Sequence, residues 1–311
     1  STSSGGAGGA SVPGSGDVAI FDGNSPDCTV DSGYSPNVAG IQLASGFSGT
    51  LDLNGQSVTI GSSGLDVDAG TLVMGGGDID LNGDYDQSGG DVTATSGLWE
   101  CSYNFTISGG TFDANGGELE MEGHLKTLNI GSAELYDLTY KTTSPGNRQS
   151  ITGTVAINGD LTITAVDRIS TGTINVKSGN VISTDTDLSG SSATIEFTKV
   201  GTQYINQGGQ SGHVLAIKLA TSGNTVDASN AVSLECEGFT MSDGTFEAPS
   251  SKSFEIYGST TISGGTFNHN DGEVIVSRHT STTNIGSVEL YDFAVSSKQS
   301  GDVLNFSGTL K

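Results

Sequence analysis

The chain has 311 residues, 48 of them glycine, with 35 acidic side chains against 11 Lys and Arg and a formal net charge of −24. A surface so negative is repelled by phosphate backbones and anionic lipid, which excludes nucleic acid as a partner, and no run approaches the ~20 apolar residues of a membrane span. Hydrophobic residues make up 33% and aromatics 6%, too lean for a large Leu-rich core yet above the level at which chains stay disordered.

Residues 1–16, STSSGGAGGASVPGSG, read as a flexible Gly/Ser leader with nothing to bury. Residues 17–48 follow as an N-terminal entry or cap segment, and from 49 to 311 the chain runs in short alternating stretches such as GTLDLNG at 49–55. Alternation with period two marks strands, and the Asn-Gly and Ser-Gly punctuation supplies the positive φ that tight corners require.

A beat runs through these strands. Gly49, Gly70, Gly90, Gly110, Gly131, Gly153 and Gly172 each begin a small-residue step before an apolar residue, at spacings of 21, 20, 20, 21, 22 and 19. The beat resumes at Gly244, Gly265, Gly286 and Gly308, and the gap around 195–226 predicts one coil lengthened by about ten residues. A longer repeat overlies it: residues 106–137 match 261–292 at 20 of 32 positions, and a weaker copy lies 76–79 residues along.

A beat of 20–22 residues with two or three strand-like runs per beat predicts an all-β fold, a parallel β-helix of about 14 coils. Each coil needs only a few inward Val, Ile, Leu or Phe, which reconciles the lean composition with a packed core. Tandem β-sandwich domains of 76–79 residues are the alternative. The last repeat stops at Leu310-Lys311 with the solenoid open at that end, so Lys311 is a candidate interface residue.

The run SGGTFDA at 108–114, the run TLNIGSAELYDL at 127–138 and the stretch SITGTVAINGDLTI at 150–163 resemble the long repetitive surface proteins secreted by bacteria and archaea. The opening VAIFDGN at 18–24 with Cys28-Thr-Val30 looks like the entry segment of such chains. The resemblance, to autotransporter-like or adhesin-like chains, covers residues 17–311. It implies a parallel β-helix displayed outside the cell and says little about a site.

Candidate chemistry is sparse. Asp78, Asp80, Asn82, Asp84 and Asp86, with Gly83, set oxygen ligands at the spacing of a calcium loop, but Gly89 stands where the bidentate Glu belongs. Ca2+ is therefore the one cofactor considered, and outward strand carboxylates before a turn are the plainer reading. Asn104 and Asn305 begin N-x-S/T sequons and are the glycosylation candidates. Tyr136 and Tyr291, in the repeated ELYD, alternate with inward Leu135 and Leu290 and offer a lateral contact or a sugar platform. Cys28, Cys101 and Cys236 are too far apart along a solenoid to pair and read as free thiols.

No catalytic residue is assigned. His124 and His279 recur at equivalent repeat positions, His213 and His269 lie in polar surroundings, and no nucleophile, zinc or phosphate motif occurs. The chain is therefore expected not to be an enzyme. The function expected is an extracellular structural protein, a β-solenoid subunit of a cell-surface filament, sheath or layer whose main partners are copies of itself. An adhesin or carbohydrate-binding rod contacting surface glycans is the alternative. A polysaccharide lyase or hydrolase is the third reading, by fold analogy alone, without the basic cluster that would hold a polyuronate.

Overall fold

Strands of three to five residues with one apolar face cannot bury that face alone; each needs an identical neighbour above and below. The computed structural model, which describes residues 12–141, 146, 148–185, 188–277, 282–296 and 305–307, satisfies this with parallel pairing throughout. The fold is a parallel β-solenoid of about 13 turns, with no helix among the described residues. Parallel pairing between strands one coil apart sets aside the β-sandwich, whose sheets are antiparallel. The first coils are longer than the beat: Val18 pairs with Gly40 and Gly40 with Gly64, steps of 22 and 24 residues, which lowers the turn count below 14.

The chain forms two compact units, Ser1–Ser144 with Thr152–Val155 and Pro145–Ile151 with Ala156–Lys311. In the first, coils have three sides. One ladder stacks Thr50–Asp52, Thr71–Gly75, Asp91–Thr95 and Thr111–Asp113. A second stacks the start of Val58–Val67 with Ile79–Leu81, Leu98–Cys101, Glu118–Met121 and Asp137–Tyr140. A third stacks the end of Val58–Val67 with Tyr85–Gln87, Phe105–Ile107 and Lys126–Asn129. Inward residues form columns: Ile79 over Trp99 over Leu119 over Leu138, and Leu65 over Tyr85 over Phe105 over Leu128, all buried. Each such side chain contributes about 1.5–3 kcal/mol.

The second unit repeats the plan. Thr173–Val176, Thr194–Phe197, Ala216–Leu219, Phe239–Met241 and Thr260–Ile262 form one ladder. Gly201–Tyr204, Asn224–Asp227, Thr245–Glu247 and Thr266–Asn268 form another. Ser211–Val214, Ser233–Cys236, Ser253–Ile256, Glu273–Ser277 and Asp292–Ser296 form the third. Phe239, Phe246, Phe254 and Phe267 pack as a ring cluster, centroids 4.9–6.3 Å apart.

The gap in the beat has a different cause from the one expected. Thr173 pairs with Thr194 and Thr194 with Ala216, steps of 21 and 22 residues, so no coil carries ten extra. Instead the glycine changes corner, leaving the one before Thr173 and reappearing with positive φ at Gly201, Gly223, Gly244 and Gly265, before the next side of the coil.

Part of the acidity sits at the corners. Asp27, Asp78, Asp84 and Asp160 each accept a backbone N–H from the coil above, from Thr50, Leu98, Asn104 and Asn180. A short carboxylate at a corner thus satisfies an amide that the ladder leaves over. At Gly110, φ is +76° and a Cβ would collide with the Gly90 carbonyl oxygen, which is why small steps mark the beat.

Candidate functional site

Strand Val18–Phe21 departs from the pattern. It pairs with Asn37–Leu43 on one side, and no other described strand pairs with it. Ala19 and Phe21 stack on inward Ile41 and Leu43, and the Phe21 ring lies 5.6 Å from Phe47. Val18 and Ile20 point outward, 42% and 54% exposed. Below Ile20 the same outward column reads Gln42, Asp66, Asp86, Thr106 and Asn129, every one polar. Gln42 Nε2 donates to Asp66 Oδ2 at 3.1 Å, so the two rungs next to the apolar edge are joined by a side-chain hydrogen bond.

The calcium candidates do not converge. Asp80 and Asp86 lie on strands Ile79–Leu81 and Tyr85–Gln87, while Asp78 Oδ1 and Asp84 Oδ1 accept from the Leu98 and Asn104 amides. Asn82 Nδ2 donates to Asp80 Oδ1 at 2.7 Å. Burial, then the charges of Asp84 and Asp66, raises the Asp86 carboxyl above its usual range.

The carboxylates that do gather among the described residues are Glu100, Glu120 and Glu122, with oxygens within 4.8 Å of one another. Sequence reasoning passed over them; the signal was the outward Glu of GELEMEG at 117–123 facing that of LWEC at 98–101. Lys141 Nζ meets Glu120 Oε1 at 2.6 Å and Glu122 Oε1 at 3.6 Å, supplying the positive charge such a cluster needs. Burial first, then Glu120 and Asp80, raises the Glu100 carboxyl; burial and the hydrogen bond with Glu120 raise Glu122.

Tyr136 is 44% exposed and Tyr291 62%. Tyr136 borders a niche of about 20 Å3 whose wall includes Trp99, Phe112, Leu135 and Glu118. Tyr291 instead stacks on His269, centroids 5.8 Å apart and planes at 26°.

His213 is 2% exposed. Its Nδ1 accepts the Leu188 amide at 3.1 Å, its Nε2 faces Glu237 Oε1 at 3.1 Å, and its ring lies 5.1 Å from that of Tyr257. Tyr257 in turn donates to Glu235 Oε2 at 2.9 Å, and burial followed by that carboxylate raises its phenol pKa. Both imidazole nitrogens thus face protein groups, which makes His213 a buried clasp on the Leu188 segment.

Asn104 Nδ2 donates to Asp84 Oδ1 and its Oδ1 accepts the Thr127 amide, so a glycan there has to displace corner bonds. Asn305 lies on strand Asn305–Ser307, where its backbone pairs with Thr282. His279, Lys311 and the expected open C-terminal end lie outside the described residues. Cys101 and Cys236 are buried free thiols and Cys28 is half-buried; burial pushes the Cys101 thiol up to about 12. Comparison with known proteins finds no matching family model, curated protein or solved structure.

Proposed function

We propose that this chain is a structural β-solenoid that joins copies of itself through the edge strand Val18–Phe21, as the subunit of an extracellular cell-surface filament, sheath or layer. The observation that carries the reading is the apolar end of a polar column: Ile20 above Gln42, Asp66 and Asp86. Edge strands of soluble proteins are blunted by Lys, Pro or charge because their free N–H and C=O groups recruit other strands. Here the outward residues are Val18 and Ile20, half of whose side-chain column neighbours would come from a strand added by a second copy. Pairing along a strand edge also brings few acidic side chains together, whereas side-by-side packing of chains at −24 requires screening. The extracellular placement rests on the resemblance of the repeats and on the acidic surface.

Light scattering and negative-stain microscopy of the full chain test this reading. Wild type is expected to form end-joined particles, and the V18K/I20K variant monomers with an unchanged melting curve; monomeric wild type at high concentration contradicts it. A second reading, a rod that binds surface glycans, is favoured by the exposed Tyr136 beside its niche.

A further inference from the structure

Two lysines show how this fold neutralises a basic side chain. Lys218 stands opposite Glu196 on the neighbouring rung and meets its Oε1 at 2.9 Å, and Lys141 reaches Glu120 and Glu122. Arg148 and Arg168 break that pattern. Strands Arg148–Ile151 and Arg168–Ser170 pair in parallel with Arg148 directly opposite Arg168, which sets two of the chain's three arginines side by side. Gln149 and Ile169, the next pair along, are buried, so alternation turns both arginines outward. Like charges opposite each other on rungs ~4.8 Å apart destabilise a ladder. The chain carries 35 acidic residues, yet among the described residues neither guanidinium forms an ion pair or a side-chain hydrogen bond.

Arg168 is held in place. Its guanidinium lies against the turn Leu188–Ser191, where a Cβ at Gly190, whose φ is +81°, would come within 2.6 Å of Nη2. That turn is itself tied down: Ser191 Oγ accepts the Ile169 amide at 3.0 Å, and Glu237 Oε2 accepts the Gly190 amide at 3.2 Å. The Arg168 Nε is buried, so its Nη groups are the ones a ligand meets. The other carboxylates nearby are turned to different tasks. Asp185 Oδ2 accepts the Val166 amide at 2.7 Å, and Asp167 Oδ2 lies beside Gly146. On the adjacent rung Arg148 is exposed.

Two guanidiniums on adjacent rungs, one pinned and one exposed, offer a pair of N–H forks to a single anionic group. A planar carboxylate occupies one fork; a tetrahedral oxyanion presents oxygens to both. We propose that Arg148 and Arg168 bind one tetrahedral oxyanion, a sulfate or phosphate group, free or carried as a monoester on a sugar. Its charge cancels the repulsion between the arginines. The surrounding surface, at a net charge of −24, favours a ligand with one such group over a polyanion. The site stands whether or not copies associate.

Calorimetric titration of the full chain at constant ionic strength, with sodium sulfate and with glucose 6-sulfate as probes, tests it. Expected are one saturable site per chain, an affinity lower by about tenfold or more in R148Q, and loss of binding in R168Q. Tighter binding of the ester than of inorganic sulfate assigns the site to a sulfated sugar, and equal or weaker binding assigns it to the free anion; both support the oxyanion site. R148Q removes a like-charge contact at an exposed position, so in sodium chloride it is expected to melt no lower than wild type. Binding that is unchanged in both variants overturns the proposal. So does a wild type that takes up neither probe; if R148Q then also lowers the mass of assembled particles, the arginines belong to carboxylates of a second copy.

Discussion

Strand Val18–Phe21 and strand Tyr85–Gln87 belong to the same unit and obey opposite rules on their outer side. Both send alternate residues inward, Phe21 onto Leu43 and Tyr85 between Leu65 and Phe105. Outward, the interior strand shows Asp86 between Asp66 and Thr106, whereas the edge strand shows Val18 and Ile20. An interior strand has its backbone paired above and below, so its outer side chains need only keep the lateral face soluble. Among the described residues the edge strand is paired on one side only, and it turns Val18 and Ile20 outward where solubility alone would place charge. In this column the strands paired on both sides keep a polar lateral face and the edge strand does not, which is the contrast the proposed assembly would use.

The comparison can be broken or sharpened by substitution. The largest effect is expected inside: Phe105, fully buried with Tyr85, Trp99 and Phe112 rings around it, should cost about 3–5 kcal/mol as F105A in denaturant unfolding. F21A, with a single ring neighbour in Phe47 and a half-buried position, should cost about 1 kcal/mol in the same measurement. Equal losses would show that the edge coil is as enclosed as the interior.

Next come the stacked carboxylates. The pKa values of Asp86, Glu100 and Glu122 are raised in the folded chain, so the folded state holds protons longer than the unfolded one. Their contribution is favourable below the ordinary carboxyl pKa and is lost as pH rises through the raised folded values. D86N and E100Q should therefore melt higher than wild type at neutral pH, by less than about 1 kcal/mol given solvent screening, with the gain vanishing on acidification below about pH 4. A constant difference across pH would remove the charge-stacking explanation. T106A, an outward interior substitution, should change stability by no more than about 0.5 kcal/mol.

Much of the fold was legible because a solenoid writes its geometry repeatedly. The spacing from Gly70 to Gly90 to Gly110 is the coil itself, and the alternation in GTLDLNG gave the inward face. The corner switch near Gly201 was not legible, since glycine marks a corner without saying which of three it marks. The charged cluster escaped for a related reason: Glu100 and Glu120 are 20 residues apart, and only the register of Leu98–Cys101 on Glu118–Met121 brings them together. Trp99 was visible as the chain's single tryptophan, but an unmatched indole N–H is a property of packing in three dimensions and leaves no periodic trace.

The central claim is that the outward face of the edge strand exists to receive another copy. Sedimentation of the full chain across a range of concentrations, with wild type beside V18K/I20K, tests it most directly. The account predicts mass that grows with concentration for wild type and stays at one chain for the variant, while both melt within about 0.5 kcal/mol of each other. Assembly that survives V18K/I20K, or a wild type that remains a single chain throughout, would contradict it.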